Sequence, residues 1–193
     1  MRWHKPLAPV MALAACVAAL AQSPAYNLGR TPTPEEIRAW DISVGPAGKE
    51  LPPGSGTAKE GAGIYAKKCA ACHGPTLEGG NGVPRLMGGQ GTLTTLQIRR
   101  SIGSYWPFAT TIWDYINRAM PWNKAWEEKS PLSADEVYAL TAFLLYRNGI
   151  IQESDVMDAK TLPKVQMPNR NGFVPPWPPQ YKSGEKRLYG QYP

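Results

Sequence analysis

Cys69-Ala70-Ala71-Cys72-His73 sets two thiols three residues apart and puts an imidazole directly after the second. On a helix, positions i and i+3 share a face, so both thiols can bond one flat macrocycle. The pattern C-x-x-C-H therefore reads as an attachment site for one covalent haem c, with two thioethers to the ring and His73 bound to the iron from one side. A redox dithiol would need a βαβ setting, and zinc would need two further Cys or His ligands. Neither is found. The chain has three cysteines and two histidines. Cys16 and His4 fall in the leader described below, so Cys69, Cys72 and His73 stand alone in the processed chain.

The second iron ligand decides between an electron carrier, with both axial positions filled, and a catalyst with one open. Met87, Met120, Met157 and Met167 are the candidates, with lysine or an open site as fallbacks. Met120 is favoured, because Arg118-Ala119-Met120-Pro121 ends one helix and precedes another, and the proline forces a rigid loop there. Met87 reads as a packing residue in a glycine-rich loop, and the two tail methionines read as gap fillers. A haem-ligating His commonly gives its other N–H to a carbonyl, and Pro84 is the expected acceptor for His73. Tyr105, Trp106 and Trp113 are candidate donors to the haem propionates. Plain aromatic packing is the equal alternative for each of them.

The elements that must hold these groups lie in the middle of the chain. Twenty prolines and nineteen glycines crowd the two ends and predict a helical centre with extended arms. Thr33-Pro34-Glu35-Glu36 starts a short helix whose Ile37 and Trp40 should lie on the core. Leu51 to Gly56 reads as an extended connection. Thr57-Ala58-Lys59-Glu60 is a capping box that opens the helix into the haem motif, and Gly61 within that helix predicts a close packing contact. Thr94-Thr95-Leu96-Gln97 predicts a second capping box and a short helix to about Ile102. Thr110 to Arg118 predicts another, with Ile112, Tyr115, Ile116 and Ala119 on its apolar face. Ser133-Ala134-Asp135-Glu136 opens the best-defined helix, buried on more than one side and stopped by Asn148-Gly149. After it, Leu162, Val165, Phe173, Val174 and Trp177 should pack the first half of the tail down.

The first 21 residues read as a leader: Arg2 and Lys5, an apolar run from Leu7 to Leu20, and a small-x-small site ending at Ala21. Leu13-Ala14-Ala15-Cys16 offers a lipobox as the alternative, with the signal ending at Ala15 and Cys16 lipidated, the one route to a membrane. The apolar stretch after Cys16 favours cleavage after Ala21. Both routes lead to the periplasm. Removing Arg2 and Lys5 lowers the formal charge from +6 to +4. The basic pairs Lys67-Lys68 and Arg99-Arg100 are isolated, so nucleic-acid binding is not expected. The divisions expected are 1–21 leader, 22–56 N-terminal arm, 57–149 haem domain and 150–193 C-terminal extension.

Gly61 and Tyr65 before the haem motif, Val83 to Leu86, the Ala119-Met120-Pro121 loop and the Leu132-to-Glu136 helix start together resemble a class I cytochrome c domain. The resemblance implies an all-α fold in which the first and last helices cross near Gly61, Tyr65 and Phe143. The flanks are similar to something narrower. Leu28 to Ile37, Trp40-Asp41-Ile42, Leu51 to Gly56, Ile102 to Pro107, Thr161-Leu162-Pro163 and Met167 to Phe173 resemble the cytochrome subunit of the Sox-system sulfane dehydrogenase. That family pairs its cytochrome with a molybdenum-cofactor subunit and takes electrons from sulfite or protein-bound sulfane sulfur. Many of its members carry a second haem domain, whereas this chain has one C-x-x-C-H. The resemblance implies a one-haem electron acceptor, delivering to a downstream cytochrome or oxidase, rather than a catalyst. The other readings are a general soluble carrier and a thiol- or sulfur-oxidising haem enzyme.

Overall fold

A computed structural model describes residues 28–80, 82–121 and 132–173. The leader with Cys16, and the tail residues Val174 and Trp177, lie outside the described residues. Two units divide between Asp41 and Ile42.

The first unit contains α1, Pro34–Trp40. Thr33 and Glu36 form a reciprocal capping box and Pro34 takes the first helical position. Arg30 forks onto the Glu36 carboxylate and, with the Thr33 N–H, holds its pKa down to about 2. Ile37 and Trp40 do not lie on a core: they are 50% and 87% exposed. Local bonds alone specify this helix, since the cap, the proline and the Arg30 fork wind it without burying any side chain.

The second unit is built on α2, Ala58–Lys68, and the long α6, Ala134–Arg147. Each starts at the capping box read from sequence, Thr57 with Glu60 and Ser133 with Glu136. Every residue from Val137 to Leu145 is buried. The helices cross where a Cβ on Gly61 would strike the Ala139 carbonyl oxygen and come within 2.7 Å of Phe143 Cβ. Beside that point the Tyr65 and Phe143 rings meet at 5.2 Å. The crossing implied by the family resemblance is present.

Between them come two short helices, α3 at Ala70–His73 and α4 at Ile102–Tyr105, and then α5 at Ala109–Ala119. The buried stripe of α5 is Ala109, Ile112, Trp113 and Ile116, spaced as one helical face. Tyr115 falls outside that stripe and is exposed, so the expected apolar face keeps Ile112 and Ile116 but turns from Tyr115 toward Trp113. The helix expected from Thr94 to Ile102 is absent. Thr92 and Thr95 spend their hydroxyls on the carbonyls of Gly89 and Thr92, closing turns that compete with a helix. Leu96 and Ile98 stay exposed, so no apolar face is buried to favour one. The helix starts later, where Ser101 and Ser104 cap each other's backbone.

The arms are pinned by a ribbon that the sequence did not signal. β1, Ser55–Thr57, pairs antiparallel with β2, Val156–Asp158, in the register Gly56 opposite Met157. Gly56 lies so close to the Ala139 backbone that a Cβ would overlap it. Ser55 N–H donates to Asp135 Oδ1 at 2.7 Å, Tyr138 Oη to Pro52 O at 2.8 Å, and Val44 N–H to Asp114 Oδ1 at 2.9 Å. Met157, Leu162 and Met167 of the extension join the hydrophobic core. Phe173 does not, being exposed. The architecture is all-α with extended arms, and the small ribbon is its only sheet among the described residues.

Candidate haem site

Cys69 ends α2 and begins α3, with backbone angles that break the helix between them. Its carbonyl then accepts from both Cys72 N–H at 3.1 Å and His73 N–H at 3.0 Å, winding the next turn tightly. One turn of chain thus carries Cys69, Cys72 and His73. Both cysteines are free thiols, Cys69 half-buried and Cys72 exposed. Burial pushes the Cys69 thiol up to about 11, against the opposing pull of Lys68. Among the described residues no cluster of three or more His, Cys, Asp or Glu gathers to hold a metal ion.

The chain after His73 folds back on it. Gly74 O accepts from Tyr65 Oη at 2.7 Å, which ties the end of α3 to α2. Leu77, buried and in the left-handed region at φ 64°, offers its carbonyl to Leu86 N–H at 2.9 Å. Between these points Gly80 and Val83 bridge each other, and Gly79 sits where a Cβ would come within 2.7 Å of Arg85 N. The return stroke sets Pro84 O at 3.4 Å from His73 Nδ1, at the long end of hydrogen bonding. The expected pair is thus brought together, loosely.

Met120 caps α5, with its N–H on Ile116 O at 3.1 Å, and packs half-buried against the core. Met87 is also packed there. The aromatic candidates separate into three settings. Tyr105 is turned to the tail: its ring meets Phe173 at 5.2 Å and lies under the Arg100 guanidinium, and its carbonyl accepts from Asn169 Nδ2. Trp106 packs edge-on against Tyr115 at 5.6 Å. Trp113 is 2% exposed against Tyr138.

Trp113 Nε1 and Thr110 Oγ1 are both buried with no hydrogen-bond partner among the described residues. They lie three residues apart on one helix, hence on one face. A buried donor left unpaired costs about 1–3 kcal/mol, so two such groups side by side fit an acceptor from outside the chain. Thr110, Tyr65 and Asn148 were not singled out by sequence for these contacts. Only the position of Thr110 one turn before Trp113 hinted at its role.

A C-x-x-C-H turn held between crossed first and last helices defines a c-type cytochrome domain. Residues 56–144 match the family described as cytochrome c oxidase, cbb3-type, subunit III. A chain in the crystal structure of the sulfane dehydrogenase SoxCD from Paracoccus pantotrophus is 38% identical, with a TM-score of 0.68, over 86% of this chain and 87% of that one. No curated protein sequence matches. The chain belongs to the class I c-type cytochromes and is similar to the sulfane dehydrogenase chain; it is a haem protein of electron transfer. No helix among the described residues is long and apolar enough to cross a membrane.

Proposed function

We propose that this chain is a periplasmic one-haem electron acceptor for a molybdenum-cofactor subunit that oxidises sulfite or sulfane sulfur, and that it passes the electrons to a downstream cytochrome or oxidase. The observation that carries the reading is the similarity over 86% of the chain, more than residues 57–149 alone can account for, so that it takes in the arms as well as the haem domain.

Cys69 and Cys72 would hold the haem covalently, with His73 and Met120 as its axial ligands. Held by an imidazole and a thioether, a haem would supply one-electron exchange at a raised potential, with His73 and Met120 leaving no position for substrate. The chain's own residues set the conditions. With its proton on Nδ1, His73 donates a hydrogen bond to Pro84 O, which would leave the Nε2 lone pair for a metal and fix the ring. Trp113 Nε1 and Thr110 Oγ1 would supply two dry donors for a carboxylate, which favours Trp113 among the three aromatic candidates.

Two measurements test the proposal. Mass spectrometry after acid-acetone extraction should retain one haem mass, and haem lost to the solvent would refute covalent attachment. Mixed with its cognate dehydrogenase and sulfite, the oxidised cytochrome should be reduced rapidly. Sulfite oxidation by the purified cytochrome alone would refute the carrier role.

A further inference from the structure

Asn148 looks from sequence like an ordinary helix stop, yet its side chain reaches across to another part of the chain. Buried at the end of α6, it gives Nδ2 to Leu86 O at 3.0 Å and to Leu144 O at 2.8 Å. Its Oδ1 accepts from Gly88 N–H at 3.1 Å, and its backbone carbonyl accepts from Gln90 Nε2 at 2.9 Å. Leu86 C=O and Gly88 N–H flank Met87, and they are the two groups a parallel neighbouring strand would engage. Here one carboxamide does so.

The slot that receives it is built for it. Gly103 lies in α4, where its conformation needs no glycine, but a Cβ there would collide with Asn148 Oδ1 and come within 2.7 Å of Gln90 Nε2. The stretch that Asn148 holds is tied at two further points, Leu86 N–H to Leu77 O and Gly88 O to Ser101 Oγ. Two residues upstream lies Pro84, whose carbonyl faces His73 Nδ1 at 3.4 Å. At that separation a small displacement of the 84–88 backbone makes or breaks the bond.

The geometry points to Asn148 as a positioning residue for the His73 imidazole: it locks the 86–88 backbone to the end of the last helix and so sets the Pro84 carbonyl against Nδ1. This rests on the reading that His73 binds haem iron. A stronger bond from Nδ1–H makes the imidazole a better electron donor and favours the oxidised metal. Loosening the clamp therefore raises the midpoint potential.

The test uses the full holoprotein with N148L, which keeps the bulk and loses the three side-chain hydrogen bonds while leaving the backbone carbonyl to Gln90, and N148S, which is easily housed and too short to reach both Leu86 and Gly88. T141V is the control. Thr141 is buried in the same helix and donates only to Val137 O, away from the loop. The readouts are the midpoint potential, the hyperfine-shifted His73 ring N–H resonance of the ferric protein, and the urea midpoint. Both Asn148 variants should raise the potential and shift or broaden the resonance, whereas T141V should lower only the urea midpoint. If N148L does not fold, N148S carries the comparison. An Asn148 variant that loses stability with potential and resonance unmoved overturns the proposal, leaving Asn148 a helix cap. Absence of any hyperfine-shifted His73 resonance in the wild type overturns the haem reading as well.

Discussion

Met120 leaves α5 with its N–H still on the helix and its own backbone already extended, so its thioether departs where the chain turns toward Pro121. If it is the second axial ligand, M120A should abolish the far-red sulfur-to-iron band of the oxidised protein and lower its potential. M87A should leave both in place, because the groups on either side of Met87 are held by Asn148 and the side chain is packed. The reverse result would move the ligand to the loop. Trp113 gives a second test at this scale. Its Nε1 has no partner among the described residues, so W113F should cost the haem-free chain only the cavity left by the smaller ring, with no buried acceptor stranded. In the holoprotein the same change should shift the pH dependence of the potential as a propionate loses its donor. Equal behaviour of W113F and wild type in the holoprotein would assign Trp113 to packing alone. The residues of the haem turn were legible because their chemistry is encoded in contiguous spacing. Thr110 and Asn148 were not, since each acts through a partner that only folding brings near.

The crossing of α2 and α6 is the element on which the haem turn depends, for α3 continues directly from α2 and Tyr65 holds the carbonyl that follows His73. Gly61 has ordinary helical geometry but no room. G61A must push the helices apart or bend one of them, and overpacking of this kind costs about 1–3 kcal/mol; a urea titration should show it as a lower midpoint at unchanged slope. The same crossing responds to pH in two directions. Lys68 Nζ bonds Glu136 at 2.7 Å and holds that carboxyl below its ordinary value of 4.5. With the folded value depressed, the pair's contribution is whole above the unfolded value and is lost as pH falls through the folded one. For a part-exposed pair it amounts to roughly 0.2–1 kcal/mol. Burial pushes Tyr65 and Tyr138 up to about 12 from an ordinary 10. With these raised, stability is intact below pH 10 and falls from there toward pH 12. Y65F should remove part of that alkaline loss in thermal melts, and an identical alkaline limb in Y65F would exclude Tyr65 as its source. Capping boxes made α1, α2 and α6 readable, because Thr33, Thr57 and Ser133 need only a Glu three residues on. The Thr94 pattern misled for the opposite reason: the neighbouring Thr92 and Thr95 found turn carbonyls first, and no buried face outweighed them.

At the scale of the molecule, the expected border at Gly149 between haem domain and extension does not describe how the core is built. Proline content correctly indicated arms without long elements, but gave no sign that β2 would pair with β1 or that three apolar residues beyond the border would be interior. A three-residue strand has too little sequence for periodicity to show, and its pairing partner lies about a hundred residues away. Met157, Leu162 and Met167 are each at most 4% exposed, and the ribbon they support seals Gly56 against α6. Burying one such side chain contributes about 1.5–3 kcal/mol, so three together approach the roughly 5–15 kcal/mol by which a whole domain is stable. A chain ending at Gly149 should therefore lose most of its stability even with Cys69, Cys72, His73 and Met120 intact. It should accumulate poorly in cells, melt at far lower temperature than the full chain, and show weakened methionine ligation as α5 loosens. A chain ending after Phe173 keeps every one of these contacts and should melt well above the chain ending at Gly149. If instead the shorter chain retains the full melting temperature, the extension is no part of the core, and its place in the chain must be explained by a partner alone.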